Sequence, residues 1–410
     1  MQERAEAYVR PSVAMRNSGV VPPLFGRSAI HDSLLPIQAT EDGSARIELP
    51  GLLAMRCYAA LAVLLVHLIT LPKLPIPAQL SFIPTHLIYG VPLFYVVSAF
   101  GLFVRYSGRI ETQADLRDFY TRRFFRIAPL FYFMMFIVTP PLFWLMWGVT
   151  FSISQFVSSG LFIFNFVPQH VTGFVLASWS IGIEMAFYAI LPLLVFAITN
   201  FRRSLAFVAV SVFFAANWEL AFSGASPVLA TFEQYSLFTF LFYFAAGISG
   251  SFAWKRLRRT APQIGGTILT ASLLGILGLI GLSDPVGGLL AATFGPVAAL
   301  MNALWALALT GAVVGVCLQP PKWFVNPAAT LIGNASFSVY LWHCVVIVIL
   351  DRLGVYHGLY VSLDGAFIPF FACMLTTLAV VLPLSVMSYR HIERPGMNLA
   401  GRFTQHRPLQ

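Results

Sequence analysis

Charged residues are scarce in this sequence. Asp, Glu, Lys and Arg make up 10% of its 410 residues, against 58% hydrophobic ones. A soluble domain usually carries about 25% charged residues, so that class is excluded. Cysteine is rare too. Cys57, Cys317, Cys344 and Cys373 lie in or beside apolar runs, and none has ligand spacing, so neither a disulfide nor a metal site is expected. Segments alternating apolar and polar residues are missing, which removes a membrane β-barrel. The first fifty residues hold no apolar core of the kind a signal peptide needs, so no cleavable leader is expected. No internal repeat is evident, which argues against an inverted-repeat transporter.

Long apolar runs are what the chain does have. Stretches near twenty residues recur, and mean hydropathy is +0.79. Such runs cross a bilayer as helices. The expected fold class is an all-α integral membrane protein, a bundle of about ten transmembrane helices without a soluble catalytic domain. Spans fall at roughly 51–71, 86–104, from Ile127 onward, 177–199, 204–222, 234–253, 263–283, within 286–318, 329–350 and 366–388. Gly295 and Pro296 leave the start of the eighth open. Residues 152–167 are apolar but short and read as an interfacial or re-entrant piece. Residues 1–50, mixed in charge, read as a largely disordered cytoplasmic extension, and 396–410 as a short cytoplasmic tail.

Charge sets the orientation. With the N-terminus inside, 23 of the 25 Lys and Arg fall on the cytoplasmic side, leaving Lys73 and Arg352 outside. That split follows the positive-inside rule and puts both termini in the cytoplasm. It also explains most of the +9 net charge, so no nucleic-acid partner is expected.

Four groups of polar residues interrupt the apolar spans. Arg56 and His67 lie eleven residues apart on the first span, about three helical turns, and share a face. His67 then sits roughly 16 Å further along the helix than Arg56. Ionisable groups at that depth cost at least about 2.5–3.5 kcal/mol each, so they should face protein or a wet cavity. The second group is the loop motif FYTRRFFRIAP, residues 119–129, with Arg122, Arg123 and Arg126. Arg126 falls just before the expected start of the third span, where a helix dipole favours an anion. Plain positive-inside anchoring, or pairing with Glu111, Asp115 and Asp118, is the alternative. The third is SWSIGIE with its continuation, in which Ser180, Glu184 and Tyr188 recur every four residues. The fourth is ASFSVYLWH, where Ser336, Tyr340 and His343 share a helix face. For the third the alternative is a structural carboxylate that pairs with an arginine or accepts from hydroxyls; for the fourth it is hydrogen-bond glue between spans.

In this order, the Arg-x10-His pair, GVPLFYVVSAFGL, FYTRRFFRIAP, SWSIGIEMAFY, ASFSVYLWH and HIERP resemble the membrane-bound acyltransferase 3 family, integral membrane acyltransferases of the O-acetyltransferase kind. The resemblance spans roughly residues 51–395 and makes that stretch a transmembrane acyltransferase domain. One departure is Glu184 followed by Met185, where the family often has two adjacent acids.

The resemblance implies transfer of an acyl group, often acetyl, from cytoplasmic acyl-CoA to a hydroxyl of a glycan, exopolysaccharide or lipid-linked sugar. His67 is then the catalytic histidine with Arg56 as its partner, and Arg122, Arg123 and Arg126 handle the acyl-CoA. Ser180, Glu184, Tyr188, Ser336, Tyr340 and His343 form a supporting polar site. No permanently bound cofactor and no metal is implied; acyl-CoA, acetyl-CoA first, is a co-substrate. The expected location is the cytoplasmic (inner) membrane. His67 can act as general base or through an acyl-histidine relay. The other class is a transporter or flippase of a lipid-linked sugar with His67 and Glu184 as a proton relay.

Overall fold

A computed structural model describes residues 49–147, 152–294 and 298–404. The expected disordered extension lies outside these residues except for its last two positions, as do Gly295 and Pro296. Every regular element among the described residues is helical. The long apolar helices are α1 (Pro50–Thr70), α2 (Gly90–Tyr106), α3 (Gln113–Phe133), α4 (Trp179–Ala197) and α5 (Phe201–Ala221), followed by α6 (Leu237–Thr260), α7 (Gly265–Gly281), α8 (Ala298–Leu318), α9 (Ser336–Arg352) and α10 (Phe367–Ser388). Among the described residues nine segments are long and apolar enough to cross a membrane, or ten when α9 is taken with the short helix Pro327–Asn334, which meets it at a 74° bend. The chain is a multi-pass membrane protein of the expected size.

α1 is central. It packs against α2, α8, α9 and the helix Pro327–Asn334. Small residues allow the closest approaches, as expected where no hydrophobic effect drives helices together in lipid. A Cβ on Gly333 would stand 2.0 Å from the carbonyl oxygen of Leu53, and one on Gly247 would stand 2.4 Å from that of Val96. Aromatic rings fill the layer between α2, α4 and α6: Phe187 stacks on Phe244 at 4.0 Å, and Tyr95 on the same ring at 4.6 Å. α5 and α7 line the outside, with Phe213 71% and Leu274 63% exposed, as a lipid-facing surface requires.

Two sequence expectations are corrected. The arginine motif is helix, not loop. α3 begins at Gln113, where the Thr112 side chain accepts from Asp115 N and the Asp115 carboxylate accepts from Thr112 N, a capping box. The helix then runs through Arg122, Arg123 and Arg126 and past Pro129. Arg126 therefore sits in mid-helix, and the dipole argument for anion binding there falls away. Span nine is also not one straight helix: it breaks at Ala335, placing Ser336 at the first turn of α9.

The short segment read as interfacial holds only an eight-residue helix, Ile153–Gly160, followed by single 3-10 turns. Residues Arg394–Phe403 form a further helix, α11, packed on α3. There Arg117 donates to Phe403 O at 3.1 Å, and the Phe125 and Phe403 rings stack at 5.6 Å.

Candidate active site

α1 and α9 run side by side in the same direction, and the polar residues of each meet at matching levels. At one end Arg56 Nε donates to Ser336 Oγ at 3.2 Å. At the other, the His67 and His343 rings meet edge-on with centroids 4.9 Å apart. The face of α9 read from sequence thus serves three neighbours. Ser336 takes Arg56, Tyr340 accepts from Ser180 Oγ at 2.6 Å, and His343 reaches His67.

The proton positions on the two histidines follow from their carbonyl partners, which can only accept. His67 Nδ1 lies 2.9 Å from Val63 O, so Nδ1 carries the hydrogen and Nε2 is the basic nitrogen. The same Nδ1–H faces His343 Nε2 at 3.3 Å. His343 in turn donates from Nδ1 to Val339 O at 3.3 Å, and its Nε2 accepts from the Cys344 thiol at 3.2 Å. His343 is buried, His67 only half-buried. No partner among the described residues meets His67 Nε2.

The donor atoms of His67, His343 and Cys344 lie within 4.8 Å of one another, a grouping that could in principle hold an ion. Hydrogen bonds account for it instead. A metal at His67 Nδ1 would displace the proton that Val63 holds there.

Beside the Arg56–Ser336 contact lies a cavity of about 40 Å³. Its wall includes Arg56, Tyr95, Ser98, Ser180, Glu184 and Tyr340. Glu184 is held through Oε1, which accepts from Ser98 Oγ at 2.8 Å and from Tyr188 OH in a short hydrogen bond. Neither histidine lines this cavity. Tyr340 stands between, its ring 5.5 Å from that of His343.

The three arginines of α3 have different surroundings. Arg122 donates to Thr404 Oγ1 at 3.1 Å and lies 3.6 Å from Asp118. Arg126 pairs with the buried Glu393 at 2.6 Å, and Glu393 also accepts from Ser338. Among the described residues Arg123 makes no ion pair. Its guanidinium lies 5.8 Å above the Tyr188 ring, and its Nε is buried without a hydrogen-bond partner.

The family model described as an acyltransferase domain matches residues 49–386. The chain belongs to the acyltransferase 3 family. This acyltransferase is 26% identical over 335 residues to a Komagataeibacter xylinus protein named as a membrane-bound transacylase, BcsY, covering 76% of this chain and 77% of that one. It is 26% identical over 313 residues to the exopolysaccharide production protein ExoZ of Rhizobium meliloti (strain 1021), covering 75% and 88%. Over 327 residues it is 25% identical to ORF330 of Acidianus two-tailed virus, named as an acetyltransferase, covering 78% and 89%. No solved structure matches this acyltransferase.

Sequence reasoning missed Ser98, Tyr95, Cys344 and Glu393. Ser98 is a single hydroxyl in the quoted GVPLFYVVSAFGL motif and Glu393 lies within HIERP, so both motifs carried a signal that spacing alone did not resolve. Cys344 adjoins His343, and nothing in the sequence says that this side of the helix turns toward His67.

Proposed function

We propose that this acyl-transferring enzyme moves an acyl group, acetyl first, from acyl-coenzyme A on the cytoplasmic side to a hydroxyl of a glycan, exopolysaccharide or lipid-linked sugar, with His67 as general base. One observation carries the reading: the 2.9 Å hydrogen bond from His67 Nδ1 to Val63 O, which leaves Nε2 basic and, among the described residues, unmet. Neutral imidazole is suited to take a proton from an alcohol near pH 7, and general-base help is worth about 10²- to 10⁴-fold. As the hydroxyl oxygen attacks the thioester carbon, its proton passes to Nε2. The carbon–sulfur bond breaks, and the proton leaves with coenzyme A thiol.

The phosphates of coenzyme A cannot enter lipid, and the arginine-rich face of α3 is the cytoplasmic one by the charge count. Arg123, with its unmet Nε, is the cation there best placed to receive the donor. Arginine forks suit phosphate oxygens. A glycan acceptor is supported by the similarity to a protein named for exopolysaccharide production. The charge count also supports cytoplasmic termini, and the multi-span helical fold supports residence in the inner membrane.

The test is product chemistry. Full-length protein in vesicles, given isotopically labelled acetyl-CoA and the glycan fraction of its host, should transfer label into an alkali-labile ester. Movement of a lipid-linked sugar across the vesicle membrane with no ester formed would overturn the reading in favour of a transporter.

A further inference from the structure

Two charged side chains line the cavity with bonding capacity unused. Arg56 commits Nε to Ser336, and no acceptor among the described residues meets its Nη nitrogens. Glu184 accepts twice on Oε1, and no donor among the described residues meets Oε2. Neither makes an ion pair among the described residues. In a membrane interior, unmet charged donors and acceptors are costly unless a polar group lies between them.

Size and chemistry narrow the group. A cavity of about 40 Å³ is roomy enough for more than a single water, so a narrow chain or a small planar group fits between the two side chains. A guanidinium wants an acceptor and a carboxylate wants a donor. A secondary amide presents both, on opposite edges of one plane.

We propose that the cavity between Arg56 and Glu184 is a subsite for an amide of the acyl donor's pantetheine arm, its carbonyl accepting from Arg56 and its N–H donating to Glu184 Oε2. This rests on acyl-CoA being the donor. Tyr340 lines the cavity, its ring is 5.5 Å from that of His343, and His343 is 4.9 Å from His67. The amide farther from sulfur is separated from it by about seven bonds, roughly 8 Å at backbone-like spacing. An arm gripped at the cavity extends the thioester about that far toward the histidine pair. Arg56 and Glu184 become the residues that set the depth of the thioester.

An amide also occurs on N-acetylated sugars, so the experiment must separate donor from acceptor. Binding of coenzyme A to the full-length protein in lipid nanodiscs is compared with binding of two analogues, each N-methylated at one pantetheine amide. One analogue should bind at least about tenfold more weakly, the value of a hydrogen bond to a charged group. That difference should vanish in Glu184→Ala. Glu184→Gln keeps the side chain's shape and serves where the alanine variant does not fold; there the difference should shrink at least about threefold. The comparison is a ratio within each protein, so a general structural defect cancels.

Both analogues binding like coenzyme A, or losing equally in wild type and variant, would overturn the assignment while leaving acyl-CoA as donor. N-acetylglucosamine displacing coenzyme A from wild type but not from the Glu184 variants, with glucose inert, would place the acceptor's amide in the cavity instead. Failure of coenzyme A itself to bind would sink the donor reading along with the subsite.

Discussion

Arg126 and Glu393 meet in a 2.6 Å ion pair although 267 positions separate them in the chain. The pair ties α3 to the turn after α10, and Ser338 brings α9 into the same bond network. Glu393 is 1% exposed. Removing one partner of a buried pair typically costs about 3–5 kcal/mol, because the other charge is stranded. Arg126→Ala should therefore lower the melting temperature and the yield of folded protein. Arg123→Ala strands no carboxylate. It should leave the melting temperature nearly unchanged and raise KM for acetyl-CoA. Thermal unfolding in detergent and steady-state kinetics on both variants distinguish the roles; equal destabilisation by both would remove the distinction.

The carboxylate of Glu184 depends on Ser98 and Tyr188 for its position. Ser98→Ala removes one of two donors to the same oxygen and should lower kcat/KM about tenfold, in line with a hydrogen bond to a charged group. Combining it with Tyr188→Phe should cost more than the sum of the two single changes, since the last donor to Oε1 is lost. Simple additivity in a double-mutant cycle would show that the two hydroxyls do not act through Glu184.

His343 positions His67 rather than replacing it. Val63 already fixes the tautomer of His67, so loss of His343 removes only the second contact to Nδ1–H. His343→Ala should reduce kcat about tenfold with KM for acetyl-CoA unchanged, a smaller effect than any change at His67. A larger loss than in His67 variants would make His343 the base.

Close packing at the break before α9 sets the level at which Ser336 meets Arg56. A Cβ on Gly333 would meet the Leu53 carbonyl oxygen at 2.0 Å and its carbon at 2.6 Å. Both are backbone atoms and cannot rotate away. Overpacking of this kind typically costs about 1–3 kcal/mol, so Gly333→Ala should lower both the melting temperature and the rate. Gly358→Ala, with nothing within 4 Å, is the control and should do neither.

The fold was largely legible because apolar length alone counts membrane spans. Boundaries failed where local chemistry competed with hydropathy. The Thr112–Asp115 capping box starts α3 well before the apolar run, and the arginines that looked like a loop lie in its middle turns. The expected start at Ile127 lies inside the helix, which passes on through Pro129. A glycine packs beside that proline: a Cβ on Gly396 would meet Pro129 Cγ at 2.4 Å.

The polar faces were legible because spacing of three, four and seven puts Ser336, Tyr340 and His343 together. Which faces meet was not, because Arg56 finds Ser336 across 280 positions and His67 finds His343 across 276. No local pattern encodes those pairings. Ser98 shows the same limit: one hydroxyl in an apolar span has no signature until its partner Glu184 is placed.

The most direct measurement is the rate of acetyl transfer from labelled acetyl-CoA by His67→Gln protein reconstituted at the same folded amount as wild type. A fall of at least about 10²-fold, with coenzyme A still bound as in wild type, is the expected result. Transfer at the wild-type rate would contradict a base at His67.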